Sequence, residues 1–249
     1  MQREINLNVV QDSGYIALRP ATANRAYYYI SKRLLDLVIS SVALLILLPV
    51  MMIVALLIKL DSAGPILFKQ KRIGARRRTE NHHTYWLNVT FQCYKFRTMV
   101  CNADPTLHKS YVRALINNDC DSMAQIQGSD TQLRKLAHDP RITRVGKILR
   151  KCSIDELPQF FNILKGDMSL VGPRPAIPYE VEMYKPWHYQ RLNAQPGITG
   201  LWQVTARSTA SFDEMIILDI QYIKRQSFWL DIAIILKTPF AVLSCKGAE

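Results

Sequence analysis

An uncharged segment at residues 37–58 limits what this chain can fold into more than any other feature. As a helix rising about 1.5 Å per residue, it is just long enough to cross the hydrocarbon core of a bilayer, which is roughly 30 Å thick. Polar and mixed sequence precedes the segment and no small-residue cleavage site follows it, so it does not have the form of a signal peptide. The sequence therefore predicts a membrane-embedded helix.

The charges on both sides of this segment predict how it lies in the membrane. Lys32 and Arg33 precede it, and Lys59 begins a second basic stretch that continues to Arg78. Lys and Arg accumulate on the cytoplasmic flanks of membrane helices, so both ends favour the same side. Pro49 removes a backbone hydrogen bond near the middle of the segment. We expect a re-entrant helix-break-helix that enters one leaflet and returns, and a straight spanning helix with a tolerated proline is the alternative.

Residues 150–175 contain the candidate chemistry. Asp155 and Glu156 are adjacent carboxylates that follow Ser153 and precede an apolar helical run. Helix N-termini favour negative charge and can also hold a phosphate or a metal, so this position suits phosphate chemistry. The structural alternative is an S-x-x-E capping box, in which Ser153 and Glu156 only satisfy N–H groups at the helix end. Pro158 favours a helix start near Asp155, which would leave that carboxylate free.

The basic composition points to an anionic partner. The net charge is +12 and the isoelectric point is near 9.6. Nucleic acid, an anionic membrane surface and a phosphorylated substrate all fit charge alone. The sequence has neither a basic helix nor an aromatic-basic sheet, so we expect no nucleic-acid partner. It also lacks the G-x-x-x-x-G-K-[ST] motif of a P-loop kinase, and its five scattered cysteines indicate reduced thiols and no zinc site.

The region after the membrane segment predicts short strands and polar helices. Strands are expected at residues 66–68 and 84–96, with a basic loop at 74–83 between them. Polar helices are expected at 104–127 and 132–137.

The C-terminal region predicts further short elements. A turn at residues 196–200 leads into a strand at 201–204. An S-x-x-E cap predicts an amphipathic helix over residues 211–224. The apolar segment 228–243 is interrupted by charges and a proline, which favours an amphipathic helix lying in the membrane interface.

Four motifs in unbroken order resemble those of the bacterial sugar transferase family. They are the membrane hairpin with its central Pro49, the strand end Tyr94-Lys95-Phe96-Arg97-Thr98-Met99, the block 155–175, and Pro196-Gly197-Ile198-Thr199-Gly200-Leu201-Trp202-Gln203. The resemblance is to the monotopic polyprenyl-phosphate phosphoglycosyl transferases, which begin exopolysaccharide, O-antigen and glycan assembly. It runs from about Tyr29 to the C-terminus, and the order of the motifs makes it specific.

The resemblance implies an activity. A UDP-sugar would give hexose-1-phosphate, with galactose or glucose as the sugar, to undecaprenyl phosphate and release UMP. Asp155 would attack the β-phosphate to form a covalent phosphosugar intermediate with the help of Mg²⁺, for which Asp155 and Glu156 are the expected ligands. Glu156 would either lie by the metal or assist proton transfer. The expected partners are the donor, the lipid acceptor and membrane lipid, and a homo-oligomer is allowed.

Further roles follow from the resemblance. Arg174, mounted between Pro173 and Pro175 of fixed φ, would clamp phosphate oxygens. Arg97 is a second candidate for this clamp, with a structural ion pair as the alternative. Arg207 is a weaker candidate, because the residue before it departs from the family's usual glycine. The region between Gly74 and the strand end is also longer than the family's usual turn.

The charged residues at the start of the membrane segment also match the family. Lys32, Arg33 and Asp36 occupy the position of a charged pair that helps to fix the geometry of the hairpin. The alternative is that they are snorkelling anchors at the membrane surface. The basic stretch 69–78 is expected to hold the protein against an anionic membrane.

Together these inferences predict an α+β fold in three parts. Residues 1–28 form a polar N-terminal segment and 29–62 a re-entrant membrane helix hairpin. Residues 63–249 form a small cytosolic catalytic domain with short strands and interfacial amphipathic helices. The chain resembles the compact members of the family, without the multi-span N-terminal domain of larger ones. Its expected location is the inner membrane with the catalytic domain facing the cytosol, and the rival interpretation is a non-catalytic membrane scaffold of a polysaccharide assembly complex.

Overall fold

The computed structural model describes residues 17–20, 25–80, 83–102, 104, 106–127, 139, 141–206 and 210–243. One long N-terminal helix precedes a mixed body of helices and strands, as the predicted α+β class requires. The strands are β1 (Ala17–Pro20), β2 (Leu67–Glu80), β3 (His83–Phe96), β4 (Ser169–Val171) and β5 (Gly197–Thr199). The helices are α1 (Ala26–Asp61), α2 (Thr106–Ile116), α3 (Cys120–Gln127), α4 (Arg144–Lys151), α5 (Gln159–Lys165), α6 (Pro178–Val181), α7 (Leu201–Thr205), α8 (Phe212–Arg225) and α9 (Phe228–Leu243). Short 3-10 turns lie at Ile154–Glu156 and His188–Leu192.

Helix α1 runs without interruption from Ala26 to Asp61, with Pro49 inside it. The structure therefore shows no interruption of the helix at Pro49, and the re-entrant path of α1 stays a prediction. A proline removes one backbone hydrogen bond, and the Leu, Ile and Val residues on both sides, with no glycine among them, continue the helix past it. By length and composition, α1 is the one helix in the described part of the chain that could cross a membrane.

Both halves of α1 bury side chains against the body of the protein, whereas residues 41–50 between them include no fully buried side chain. The buried side chains form two groups, one from each half, namely Lys32, Asp36 and Ser40, and Met51, Val54 and Ile58. Between them, large apolar side chains such as Val42, Leu45 and Ile46 are exposed. Exposed aliphatic side chains in the middle of a long helix are typical of a segment that faces lipid.

Strands β2 and β3 form an antiparallel hairpin that pairs from Leu67 and Phe96 to Glu80 and His83. The predicted basic loop at 74–83 is therefore wrong from residue 74 to residue 80, which belong to β2. The backbone of β2 pairs with β3 while most of its cations stay exposed, namely Lys69, Lys71, Arg76 and Arg78, and Arg72 is buried. Strand β1 adds to the far end of β3, where Ala17 lies opposite Leu87.

A second, parallel sheet joins β4 to β5 near the centre of the molecule. Its backbones lie so close that a Cβ on Gly172 would lie 2.3 Å from the Gln195 carbonyl oxygen. The main hydrophobic core surrounds this sheet and includes Ile163, Met168 and Tyr222. The core thereby fixes the loop after β4, which carries Pro173-Arg174-Pro175.

The remaining elements agree in part with the sequence predictions. Helices α2 and α3 lie within the predicted polar helical region, whereas residues 132–137 lie outside the described residues. Helix α8 begins with the predicted capping box of Ser211 and Glu214. The strand predicted at 201–204 is wrong, because the strand is β5, inside the predicted turn, and α7 follows it at once. Since β5 pairs with β4, partners distant in sequence decide this boundary.

Candidate active site

The candidate nucleophile lies on a short turn that rests on α1. Ser153 ends α4 in the left-handed region, with φ of 56°, and reverses the chain into the 3-10 turn Ile154–Glu156. Ile154 and Leu157 pack against the buried residues of the C-terminal half of α1. This packing fixes the turn on α1. The Ser153 side chain does not cap the turn, so the capping box, which was the structural alternative, is absent. The helix start predicted near Asp155 is wrong, because α5 begins only at Gln159.

Lys95 on β3 contacts both carboxylates of the turn. Its ammonium nitrogen lies 2.5 Å from Glu156 Oε1 and 3.9 Å from Asp155 Oδ2. The Glu156 side chain is about a quarter exposed, whereas Asp155 is buried. Within the described residues the Asp155 carboxylate accepts no hydrogen bond, and its nearest cation is Lys95. Lys95 therefore forms a close ion pair with Glu156, whereas its contact with Asp155 is longer and weaker.

The two carboxylates differ in proton affinity. Burial raises the pKa of Asp155, Lys95 opposes that rise, and the neighbouring Glu156 charge adds to it. Burial would also raise the pKa of Glu156, but Lys95 and Arg174 overcome it and lower the pKa to about 2. Glu156 is therefore ionised at any physiological pH, and Asp155 is the member of the pair whose charge depends on its surroundings.

These side chains border a shallow cleft that opens to solvent. The lining residues come from the β2–β3 hairpin, from the 3-10 turn and α5, from the loop after β4, and from β5 and α7. They are Arg72, Cys93, Lys95, Glu156, Gln159, Arg174, Pro175, Gly197, Ile198 and Gln203. Asp155 lies beside this cleft, next to Lys95. An anion that contacts Lys95 in the cleft comes within reach of Asp155.

The structure holds Arg174 as the sequence predicted, between two prolines. Pro173 and Pro175 are buried, whereas Arg174 is exposed at the cleft. The Pro175 carbonyl accepts a hydrogen bond of 2.8 Å from Arg72 Nη1, and the Arg174 carbonyl accepts one of 3.3 Å from Arg191 Nη2. Two arginines thus fix the backbone on which Arg174 is mounted. The Arg174 side chain forms no ion pair with any described residue, which leaves its guanidinium available to a ligand.

Arg97 lies away from the cleft, at the C-terminal end of α1. Its guanidinium donates to the carbonyl oxygens of Ser62 and Ala63 at 2.6 and 2.7 Å, to the Ser62 hydroxyl at 2.9 Å and to the Ile58 carbonyl at 3.3 Å. Gly64, with φ of 126°, leaves room for it, because a Cβ there would lie 2.0 Å from Arg97 Nη1. The side chain is buried and its hydrogen bonds cap the helix end. We therefore leave Arg97 out of the phosphate site. Arg207 lies outside the described residues.

The charged residues at the start of α1 are buried rather than snorkelling. Lys32 donates to Asp231 on α9 at 2.9 Å and to the Val171 carbonyl at 2.8 Å. Asp36 accepts from the Leu170 N–H and the Ser169 hydroxyl. The lysine therefore pairs with a carboxylate from the far end of the chain.

Arg33 and Pro49 complete the set of predicted hairpin residues. Arg33 donates to the Ile163 and Leu164 carbonyl oxygens near the end of α5, at 2.6 and 2.8 Å. Pro49 is exposed and lies between the two groups of buried residues on α1. Arg33, like Lys32 and Asp36, thus ties the first half of α1 to the elements around the cleft.

The cleft residues that were not predicted as part of the site include the polar side chains of Lys95, Arg72 and Gln203. Lys95 could have been found from the sequence. It stands two positions after Cys93 on a predicted strand, and residues two positions apart on a strand lie on the same face. Arg72 was counted only among the basic flanks of the membrane segment. Its role depends on the register that places it opposite Phe91 on β3.

The carboxylates of Asp155 and Glu156 fit a magnesium ion in their chemistry. Mg²⁺ commonly takes one or two protein carboxylates and completes its octahedron with water and substrate phosphate oxygens. The described residues contain no group of three or more His, Cys, Asp or Glu side chains that could hold a metal. The donor set therefore suits an ion that binds together with a phosphorylated substrate.

Comparison with known proteins extends the similarity over nearly the whole chain. The undecaprenyl-phosphate galactose phosphotransferase of Salmonella typhimurium is 41% identical over 217 residues, which are 87% of this chain and 41% of that protein. The exopolysaccharide production protein ExoY of Rhizobium meliloti is 38% identical over 218 residues, 88% of each chain. The UDP-glucose:undecaprenyl-phosphate glucose-1-phosphate transferase of Caulobacter vibrioides is 36% identical over 242 residues, 94% of this chain and 78% of that protein.

The lengths of these relatives differ. The chain spans less than half the length of several of the proteins it matches. Residues 27–245 match the sequence pattern shared by the bacterial sugar transferases. That range includes α1, the cleft and both carboxylates, so the chain belongs to the bacterial sugar transferase family.

Proposed function

We propose that this protein transfers hexose-1-phosphate from a UDP-sugar to undecaprenyl phosphate and releases UMP, as the first step of exopolysaccharide or O-antigen-type glycan synthesis. One observation carries the proposal. A carboxylate without a hydrogen bond among the described residues, that of Asp155, lies beside a lysine-lined and arginine-lined cleft on a turn packed against α1. The names of the relatives supply the two substrate classes. Their sugars differ, galactose in one and glucose in the other, so either hexose is a candidate.

The proposed chemistry has two displacements at one phosphorus. An Asp155 oxygen attacks the β-phosphorus of the donor, and the bond to the bridging oxygen breaks, so that UMP leaves with the electron pair. A phosphate oxygen of the lipid acceptor then attacks the same phosphorus and releases Asp155. Splitting the transfer in this way lets a soluble donor and a lipid acceptor use one site in turn.

Cations around the cleft would stabilise the charge that develops during each step. Lys95 stands between the nucleophile and the cleft and would contact a non-bridging oxygen of the transferred phosphoryl group. Arg174 presents a guanidinium that suits bidentate contact with a phosphate. Because the side chain of Arg72 is committed to Pro175 and Gln70, we propose that it supports Arg174 rather than the substrate.

Asp155 and Glu156 would hold Mg²⁺ together with the donor diphosphate. When bound, this ion would neutralise phosphate charge next to the carboxylates and stabilise negative charge on the leaving UMP. Glu156 suits this role because its low pKa keeps it ionised. Asp155 can attack phosphorus only when its carboxyl group is ionised. The raised pKa of Asp155 therefore sets the lower pH limit of the reaction.

We further propose that α1 is re-entrant and that the catalytic domain faces the cytosol from the inner membrane. Its support is that Lys32 and Asp36 near one end, and Ile58 near the other, are all fixed to the same body. A helix that spanned the bilayer would place these ends on opposite surfaces, roughly 30 Å apart. Trp229, Leu236 and Phe240 are exposed on one side of α9. This side would lie in the membrane interface beside α1.

The proposal is tested by measuring UMP release from purified protein with Mg²⁺, undecaprenyl phosphate and a panel of UDP-sugars. We expect one hexose donor to be preferred, and UMP release to require the lipid acceptor for more than one turnover. If no donor yields UMP, the transferase proposal is wrong and the scaffold interpretation takes its place.

A further inference from the structure

We propose that Arg191 and Asp219 act together as positioning residues that hold Arg174 in place for the phosphates of the donor. The proposal rests on the proposed function, because it takes the donor diphosphate as the ligand of Arg174. Arg191 belongs to the 3-10 turn His188–Leu192, and Asp219 belongs to α8. Neither residue lines the cleft, so their effect on the substrate passes through Arg174.

The Arg191 guanidinium joins the backbone of Arg174 to a buried carboxylate. Its Nη2 donates to the Arg174 carbonyl oxygen at 3.3 Å and lies 2.7 Å from Asp219 Oδ2. Its Nη1 donates to Glu180 Oε1 at 3.3 Å and to the Tyr184 hydroxyl at 3.0 Å. Both terminal nitrogens are therefore committed, and the guanidinium cannot turn away from Arg174 without giving up these contacts.

The loop that carries Arg174 is held by four hydrogen bonds. Each carbonyl oxygen of residues 173–176 accepts one, and the donors in chain order are the Gly197 N–H, Arg191 Nη2, Arg72 Nη1 and the Ile73 N–H, at 2.9, 3.3, 2.8 and 2.8 Å. Of these four donors, Arg191 alone lies outside both sheets. Its hydrogen bond is also the longest of the four, so it depends most on how firmly the donor itself is fixed.

The burial of Arg191 and Asp219 separates a positioning role from a stabilising one. Their side chains are 5% and 1% exposed. Removing two charges from water costs about as much free energy as their attraction returns, so such a pair contributes little net stability. Among the described residues, Arg191 is the one group that pairs with Asp219. The pair therefore supplies a fixed direction for the guanidinium that reaches the Arg174 carbonyl.

The proposal is tested by a double-mutant cycle on nucleotide binding. Asp219→Asn and Arg174→Ala are made singly and together in the full chain, and UDP affinity is measured by calorimetry in detergent with Mg²⁺ and without acceptor. We expect Asp219→Asn to weaken UDP binding and raise the donor KM about fivefold, with little change in kcat. In the Arg174→Ala background the same change should have little further effect, because no guanidinium remains to be positioned.

A matched control removes a carboxylate from another buried ion pair. Asp139 Oδ2 lies 2.6 Å from Arg141 Nη2, and neither residue lines the cleft. Asp139→Asn should lower the unfolding temperature and keep the UDP affinity of the wild type. If Asp219→Asn is folded and also binds UDP as the wild type does, the proposal is overturned. An equal loss of affinity with and without Arg174 overturns it as well, because the effect would then be a general one.

Tyr184→Phe provides a milder second variant, which decides the question if Asp219→Asn does not fold. It removes the hydroxyl that accepts from Arg191 Nη1 and leaves the ion pair with Asp219 in place. We expect a smaller loss of UDP affinity that again requires Arg174. An unchanged affinity, or a loss that persists in Arg174→Ala, contradicts the positioning role.

The UDP measurement also separates this proposal from the proposed function. The expected pattern of UDP affinities in a protein that releases no UMP supports the positioning role and contradicts the transferase proposal. UMP release by variants whose UDP affinity and donor KM are unchanged does the reverse. A protein that neither binds UDP nor releases UMP contradicts both.

Discussion

At the scale of single residues, the site depends on one lysine shared unequally by two carboxylates. Lys95 lies 2.5 Å from Glu156 and 3.9 Å from Asp155. The closer carboxylate is held ionised, and the further one keeps a raised pKa and no hydrogen bond among the described residues. Adjacent side chains of similar chemistry therefore have different properties, which is the arrangement that a nucleophile and its neighbour require.

The change Asp155→Asn should remove the nucleophile. We expect UMP release to fall at least about 10³-fold, the scale expected when a group acting directly on the reacting atoms is lost. The unfolding temperature should change little, since Asp155 makes no hydrogen bond with any described residue that the change would break. Asp167→Asn, at an exposed ion pair with Arg76, is the matched control and should keep its activity. If polysaccharide assembly in cells survives Asp155→Asn, the scaffold interpretation gains instead.

The change Lys95→Met should move the pH profile of kcat/KM. Burial raises the pKa of Asp155, and Lys95 is the largest influence that opposes this rise. Without Lys95 the pKa of Asp155 rises further, so the carboxylate becomes protonated at a higher pH as the solution is acidified. The acid limb of the profile should therefore shift to higher pH, and Lys95→Arg should restore it towards the wild-type position. An acid limb that does not move would show that Asp155 is not the titrating group.

The candidate carboxylates and Arg174 could be picked out from the sequence, but the side chains that contact them could not. The adjacent carboxylates and Pro173-Arg174-Pro175 stand out because local order alone creates them. The contact between Lys95 and Glu156 joins positions 61 residues apart. No local pattern predicts such a contact, because it depends on how the hairpin packs against the 3-10 turn.

At the scale of elements, α1 is fixed at its C-terminal end by a residue from the β3 strand end. Arg97 satisfies carbonyl groups that a helix end leaves without intrahelical partners. The side chain is therefore explained by helix capping. If Arg97 caps the helix, Arg97→Lys should lower the stability of the protein. If Arg97 bound phosphate, the same change should instead raise the KM for the donor.

Arg97→Lys should destabilise the protein and leave the donor KM nearly unchanged. A lysine cannot reach all the acceptors at the end of α1, and we expect a loss of about 2–4 kcal/mol in the free energy of unfolding, measured with denaturant in detergent. Arg174→Lys should do the reverse, because a point charge replaces a bidentate group at an exposed position, and the donor KM should rise about tenfold with little change in stability. A raised KM in Arg97→Lys without destabilisation would return Arg97 to the phosphate site.

Several elements were predicted correctly, and the errors have a common cause. The long apolar helix, the capped helix α8 and the strand at β3 follow from local periodicity and capping signals. Strand β2 was predicted only at its start, at residues 66–68, because the cations that follow indicated a solvated loop, whereas the structure there is decided by pairing with β3. Strand β5 and helix α7 were displaced for the same reason, since β5 exists through its pairing with β4.

At the scale of the whole molecule, α1 is held at both ends by one body while its middle is exposed to the surroundings. If α1 lies in the bilayer as proposed, this attachment would keep the cleft at a constant depth. The proposed lipid acceptor would be confined to the same depth, so the protein would search for it in two dimensions.

The topology of α1 is tested by labelling single cysteines in a cysteine-free variant. Tyr27→Cys lies before the apolar segment and Lys59→Cys after it, and both positions are exposed. Arg113→Cys, on α2, reports the side of the catalytic domain. In sealed vesicles of one orientation, we expect an impermeant maleimide to label all three positions from the same side. Labelling of the first two from opposite sides would show a spanning helix.

The ion pair between Lys32 and Asp231 also has a consequence for biosynthesis. The two residues stand 199 positions apart, so α1 emerges from the ribosome long before its partner on α9 exists. A charge drawn into an apolar layer without a partner is strongly disfavoured. If α1 lies in the membrane as proposed, Lys32 would remain in water during most of translation, and the nascent α1 would stay shallow until α9 has been made. We infer that the final depth of α1 is set late, when α9 arrives.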